Sequence, residues 1–536
     1  MKLNNETLKT KKVWEEAGFA LPNYDRVKVE ETTKKSPKWI HFGAGNIFRA
    51  FTANVQQNIL NEGKADTGII VAEGFDYEII EKMYRPNDNL SVLVTLKADG
   101  SIEKTVVASI AESLVVNPDL KDEWERLKEI FTAPSLQMVS FTITEKGYNL
   151  FAADGSCFLP VEADFNKGPK EPISYIGKLA SLLYIRYLNG KLPVALVSMD
   201  NCSHNGTKLF EAVKAYAEAW SKNELVEKGF LEYIENPDCV SFPWSMIDKI
   251  TPRPDDSVKE MLKKDGFEDV EPIITSKNTY VASFVNAEKP QYLVIEDKFP
   301  NGRPNLEEGG VIFTDRETVD KIEKMKVCTC LNPLHTSLAI YGCLLGYTLI
   351  SAEMKDTQLK KLVEVVGYEE GLPVVVDPGI IKPKDFIDEV LNERIPNPFM
   401  PDSPQRIATD TSQKLGIRFG ETIKAYVKSE TLNVADLKLI PLVLAGWCRY
   451  LLAVDDEGKS FAPSSDPLLE DSMSYLKNIE LGSVRDFHEE LFPILSNSKI
   501  FGVNLYEVGI GEKVESYFAE LVAGIGAVRK TLKKYV

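Results

Sequence analysis

Residues 39–61 hold the pattern that most limits what this chain can become. An apolar tetrapeptide, WIHF, runs into GAGNIFRAF, and a helix-period stretch follows without a break. A strand that meets a glycine turn and restarts as a helix commits the backbone to a βα unit. Ile47, Phe51, Val55 and Ile59 recur every four residues and mark one apolar face of a helix over 45–60. Three further runs read as strands: GIIVAE (68–73), LQMVSFTIT (136–144) and VALVSM (194–199). They are rich in Val, Ile and Phe and lack polar alternation, as strands covered on both faces do. A second helix is predicted over 174–188. Strand, helix, strand repetition of this kind predicts a parallel α/β sheet.

The rest of the chain divides around that unit. Residues 1–37 read as a polar leader ending in ETTKKSPK, a loop before the first strand. An α/β domain with extensions is predicted over 38–316, its pattern lapsing after 205 among proline turns such as FPWS and TPRP. DKFPNGRPNLEEGG (297–310) is the best linker-like segment, and residues 317–536 are mainly helical in period. The longest apolar run, 331–352, approaches the ~20 residues of a bilayer span. Asn332, Pro333, His335, Gly342 and Gly346 interrupt it, so it reads as a buried core helix. The run 440–454 carries Arg449, which is costly in lipid. The first twelve residues are polar and lack a signal-peptide core. No membrane partner is expected, and the predicted location is cytoplasmic.

Charge and composition remove other classes. Against 63 Lys and Arg stand 80 Asp and Glu, a net charge of −17, which repels phosphate backbones; no nucleic-acid partner is expected. Seven sparse cysteines read as reduced thiols, and four histidines without a CxxC leave little to build a metal site, so none is predicted.

The glycine turn has a chemistry of its own. Gly43 permits the tight turn, Gly45 lets a pyrophosphate approach the backbone, and the helix opening at Asn46 offers unpaired N–H groups to that anion. A third glycine would fall at position 48, where Phe48 stands. An ordinary βα turn without a ligand would share this pattern. The flanking strand and helix, and a second strand ending in an acid, favour a Rossmann-type dinucleotide-binding domain. Glu73 and Asp76 are placed to accept bonds from ribose hydroxyls and to repel a 2′-phosphate, which favours NAD as cofactor. Gly43, Gly45, Asn46, Ile47, Phe48, Arg49, Glu73 and Asp76 are therefore the cofactor-binding candidates.

In the helical half, MKVCTCLNPLHTSL (325–338) places Lys326, Asn332 and His335 at the start of the apolar helix, with Asn332 and His335 on one face. Polar groups there must find partners or face a cavity. A desolvated lysine can serve as a general base for an alcohol. The plainer alternative is a capping Asn332, a packed His335 and a solvated Lys326.

These segments, with SFTITEKGYN (140–149), SMDNCSHNG (198–206), FPWSMIDKITP (242–252) and RIATDTSQK (406–414), resemble the polyol-specific long-chain dehydrogenase, or mannitol dehydrogenase, family. The resemblance runs from Trp39 past residue 450 with the motifs in order. It implies an α/β Rossmann-type N-terminal domain and a mainly α-helical catalytic domain. It further implies that Lys326 is the general base and that Asn201 and Asn332 donate to the developing alkoxide. By the same resemblance His335 orients substrate hydroxyls, Asp248 tunes the lysine and binds a hydroxyl, and Arg406 and Lys414 hold the far part of the substrate. Glu145 would lie near the cofactor. The implied activity is metal-independent, NAD-dependent interconversion of D-mannonate and D-fructuronate, a small-molecule sugar-acid reaction. Mannitol 2-dehydrogenase or tagaturonate reductase activity shares the mechanism, and neutral-polyol enzymes of the family also carry cations at the Arg406 and Lys414 positions. A non-catalytic NAD or sugar-acid sensor is the alternative of another class. One departure stands out: five residues, VCTCL, separate Lys326 from Asn332, where the family usually has four. On a regular helix the extra residue turns the lysine by ~100°, and a bulge before Asn332 would absorb it.

Overall fold

The computed structural model describes all residues, Met1–Val536. They form two compact units, the first made of Met1–Leu96 and Ser101–Asp320, the second of Lys321–Val536 with the turn Lys97–Gly100.

The first unit is built on a six-stranded parallel sheet. Its strands are β1 (Trp39–Phe42), β2 (Ile69–Glu73), β3 (Ile110–Val115), β4 (Met138–Phe141), β5 (Val194–Ser198) and β6 (Val240–Ser241). In space they run β3-β2-β1-β4-β5-β6. This is the doubly wound order in which the chain reverses direction beside β1, leaving a crevice at the strands' carboxyl ends. The unalternated strand sequences follow from burial on both faces. Ile40, Phe42, Ile70, Ala72, Val139 and Phe141 pack on one side, against α2 (Lys121–Thr132) and α3 (Tyr175–Leu188) among others. Trp39, Ile69, Val71, Met138, Ala195 and Val197 pack on the other, with Phe48, Phe51, Val55 and Ile59. The last two belong to α1 (Ala53–Asn61). A β-hairpin, Ser91–Leu96 with Ile102–Val107, fills the β2–β3 crossover and belongs to a separate four-stranded sheet.

Two expectations need correction. The leader is folded: helices Asn5–Leu8, Lys11–Glu16 and Arg26–Lys35 alternate with strand Phe19–Ala20, which pairs with Ile102–Val107. Leu3, Trp14 and Phe19 are buried, and the Trp14 and Phe19 rings meet edge-on at 5.2 Å. So few apolar anchors in a polar background leave no visible period. The proline-rich segment 297–310 lies within the first unit, ahead of the division at Asp320. Asn301 donates to the carbonyls of Pro134 and Leu136 (2.9 and 2.7 Å), and Asn305 to that of Lys64 (2.7 Å).

The second unit is helical. Its core contains α5 (Asn332–Leu344), α6 (Leu439–Tyr450) and α7 (Gly511–Leu521), while α4 (Asn205–Lys222) belongs to the first unit. The α5 and α6 helices approach closely at Gly446, where a Cβ would stand 2.8 Å from the Tyr341 ring. The buried Arg449 of α6 donates to the carbonyls of Val454, Asp455 and Leu521, which explains a cation in an apolar run. No helix is long and apolar enough to cross a membrane.

Candidate functional site

The glycine turn leaves β1 at its carboxyl end. Gly43 has φ +111°, and a Cβ there would sit 2.3 Å from the Thr142 carbonyl oxygen, so no other residue fits. Its N–H donates to Ala72 at 2.9 Å, tying the turn to β2. At Gly45 a Cβ would meet nothing within 4 Å, so the backbone is open to an approaching group. The helix then begins at Asn46 and passes through a π-helical turn, Phe48–Thr52, into α1. Its opening N–H groups have no partner within the helix. These residues fit a dinucleotide pyrophosphate.

Not every predicted contact faces that opening. Phe48 is fully buried and stacks on His41 at 4.2 Å, filling the position the third glycine would have kept empty. Arg49 is also fully buried, donating to the Ala282 carbonyl (2.6 Å) and to Asn46 Oδ1 (2.8 Å). Both side chains are committed to the interior, and Arg49 positions Asn46. Glu73 Oε2 accepts from the Ala44 N–H at 2.8 Å, and Oε1 accepts from those of Phe75 and Asp76 at 2.7 and 3.0 Å. Asp76 accepts from the Thr275 hydroxyl at 2.6 Å, and both acids are buried. Their carboxylates thus shape the turn and its neighbouring loop from within, where the sequence suggested open ribose acceptors.

Across the sheet, Asp200 follows β5 and organises a second loop. Its carboxylate accepts the N–H groups of Ile143 and Thr144 at 3.1 and 2.8 Å and the Tyr148 hydroxyl at 2.5 Å. Burial pushes this carboxyl up from its ordinary value, against those bonds. Thr144 has φ +65°, a strained conformation for a β-branched residue. The loop it opens carries Glu145, which is ion-paired with Lys208. Asn201 is exposed beside Asp200. Buried Asn205 donates to the Asp200 and Ser245 carbonyls, both at 3.0 Å. Ser245 opens the strand Ser245–Asp248, at whose end Asp248 is buried. Asp200 and Asn205 were missed in the sequence; their signal was the density of polar residues in DNCSHN.

In the second unit, Lys326 is buried at the start of a π-helical turn, Lys326–Cys330. The Leu331 N–H donates to the Lys326 carbonyl at 3.1 Å, and α5 starts at the next residue with Pro333 in its first turn. Asn332 and His335 line a polar cavity of about 160 Å³ with Arg406, Ile407, Lys414 and Arg418. Burial, with help from Arg394, Arg418 and Arg406, pushes the His335 imidazole down to about 4 against the pull of Asp402, so it is uncharged at neutral pH. Arg406 is exposed and ion-paired with Asp402. Lys414 donates to the Thr409 carbonyl, and burial followed by Arg418 lowers its pKa. Arg418 is the residue that sequence reasoning missed. It lies on another π turn, Gly416–Gly420, whose backbone packs so closely that a Cβ at Gly420 would stand 2.1 Å from the Phe501 carbonyl oxygen. The signal was Lys414 and Arg418 four apart, a like-charge helical spacing that costs energy unless something anionic is shared.

Comparison with known proteins bears on the family and the fold. The Mannitol dehydrogenase Rossmann domain matches residues 37–308, and the Mannitol dehydrogenase C-terminal domain matches 318–516. A D-mannonate oxidoreductase of Thermotoga maritima is 57% identical over 100% of this chain and 99% of its own. The D-mannonate oxidoreductase of Escherichia coli K12 is 28% identical over 84% of this chain and 86% of its own. Among solved structures, a Pseudomonas fluorescens mannitol 2-dehydrogenase in ternary complex with NAD and D-mannitol superposes with a TM-score of 0.68, at 25% identity, covering 100% of this chain and 99% of that one. A Rossmann sheet, a helical unit and the ordered motifs on both thus have one source: the chain belongs to the mannitol dehydrogenase family of oxidoreductases.

Proposed function

We propose that the protein interconverts D-mannonate and D-fructuronate with NAD, using a lysine and no metal. The observation that carries this reading is the cavity of Asn332, His335, Arg406, Lys414 and Arg418: in a chain of net charge −17, three cations gather around one small polar space. Such a site suits a polyhydroxylated anion. The full-length likeness to the Thermotoga maritima D-mannonate oxidoreductase supports the same substrate pair. The NAD in the Pseudomonas fluorescens complex supports the cofactor, which Gly43, Gly45 and the N–H groups opening the helix at Asn46 would hold.

The chemistry is removal of a proton and a hydride from a secondary alcohol. NAD, when bound, takes up the hydride or returns it. The Lys326 amine takes the hydroxyl proton, and returns it in the reductive direction. The Asn332 amide donates to the oxygen as negative charge grows on it, at the start of a helix whose dipole favours that charge. Uncharged His335 can both donate to and accept from substrate hydroxyls. For Asn201 and Asp248 the family resemblance supplies the roles: alkoxide donor and hydroxyl acceptor. Arg406, Lys414 and Arg418 neutralise the acid. Seven free thiols and no membrane-crossing helix fit a cytoplasmic enzyme. Steady-state NADH oxidation with fructuronate tests the reading; absence of turnover would sink it.

A further inference from the structure

Arg418 and Arg406 line the same cavity in different electrostatic states. The Arg406 guanidinium is already neutralised: it is ion-paired with Asp402, and its side chain is 63% exposed. No carboxylate of the protein pairs with Arg418. Its Nη1 donates to the Thr336 hydroxyl at 2.5 Å, and that hydroxyl donates onward to the Asn332 carbonyl at 2.9 Å. Residues 332, 335 and 336 share one face of α5. The bond to Thr336 therefore sets the guanidinium against the face that carries Asn332 and His335. Burial depresses Arg418 to about 10, with no neighbouring acid to offset it. A largely buried cation without a counter-charge is costly. Lys414, one turn away on the same cavity, adds a second cation that only a backbone carbonyl satisfies. An arginine has five N–H groups in a planar fork, and Arg418 commits one of them to Thr336.

We propose that Arg418 is the carboxylate anchor and the acid-versus-polyol specificity determinant of this site, its free N–H groups taking the substrate carboxylate as a two-pronged pair, with Lys414 as the second cation. Arg406 then acts at the rim through its pair with Asp402. This assignment rests on the reading of the substrate as a sugar acid. It also distinguishes the cations one from another, which the count of positive charges does not.

The test compares wild type, R418Q, R418K and R406Q in steady-state reduction of fructuronate and of the neutral ketose fructose, with thermal unfolding of each. Loss of a charge-assisted pair predicts a rise of about 10- to 100-fold in KM for fructuronate in R418Q. The fall in kcat/KM should be at least about ten times larger for fructuronate than for fructose, with R418K recovering part of it and R406Q losing less. Equal losses on both substrates, no loss, or an R406Q defect as selective as that of R418Q would overturn the assignment. If wild type reduced fructose but not fructuronate, the substrate reading would fail on its own. The anchor would then be judged by inhibition of fructose reduction by mannonate, which R418Q must weaken about 10-fold or more if the assignment holds and leave unchanged if it does not.

Discussion

Lys326 and Asn332 are joined by a single π-helical turn, closed by the Leu331 N–H on the Lys326 carbonyl at 3.1 Å. A π turn closes its hydrogen bond five residues back, one more than an α turn, so it takes up one added residue before α5 begins at Asn332. The fifth residue between Lys326 and Asn332, one more than the family resemblance implies, fits within that turn, and Lys326 is the proposed base. K326A should lose about 10²–10⁴-fold in turnover while still binding NADH, measured by fluorescence titration. K324A, on the preceding helix, should not. Survival of activity in K326A would move the base elsewhere.

The two glycines of the turn predict opposite phenotypes. G43A forces a Cβ to 2.3 Å from the Thr142 carbonyl oxygen at a φ of +111°, so it should lower the melting temperature. G45A places its methyl in open space and should fold as wild type, yet bind NADH more weakly because the methyl occupies the pyrophosphate's approach. Equal NADH affinity in a well-folded G45A would remove the dinucleotide from this turn.

Asp200 clamps the loop that opens at Thr144. In D200N one of its two oxygens becomes an amide nitrogen, which cannot accept, and one or more of its three donors must lose its bond. A destabilisation of about 1–3 kcal/mol is expected, with the strained Thr144 released and kcat/KM reduced. Chemical denaturation and steady-state kinetics check this together; wild-type values in both would show that Thr144 holds its conformation unaided.

What the sequence made legible, and what it hid, follows the nature of each signal. The strands β1, β2, β4 and β5 were readable because burial on both faces leaves an unbroken apolar run. Asn332 and His335 were readable because polar residues at the head of an apolar helix demand a reason. The N-terminal helices were hidden because Trp14 and Phe19, not a period, hold them. Glu73 ends β2 and Asp76 follows it, as the sequence suggests, but no pattern reveals that backbone N–H groups from the glycine turn and its neighbouring loop claim the Glu73 carboxylate. Arg49 was named with the glycine turn as a cofactor-binding candidate; its burial is set by tertiary packing that no local pattern reveals. Arg418 was passed over because its partner, Thr336, is 82 residues away.

Glu353 gives a prediction about pH. It is fully buried against Gly342 of α5, neither carboxyl oxygen has a hydrogen-bond partner, and burial, with Asp356 nearby, raises its pKa to about 9. The unfolded chain ionises this group near its ordinary value of 4.5, the folded one only near 9. Its contribution to stability is thus fully present below pH 4.5 and is lost as pH rises through about 9. E353Q cannot ionise, so its melting temperature should gain on that of wild type steadily from pH 5 to pH 9. Parallel melting curves across that range would place an ionised Glu353 in the folded protein.

The proposed activity is a lysine-dependent reduction of a hexuronate held by its carboxylate. The most direct measurement is NADH oxidation by the purified protein with fructuronate, tagaturonate and fructose assayed side by side. The predicted result is a kcat/KM for fructuronate well above those for the other two. A preference for fructose, or no turnover with any of the three, would contradict it.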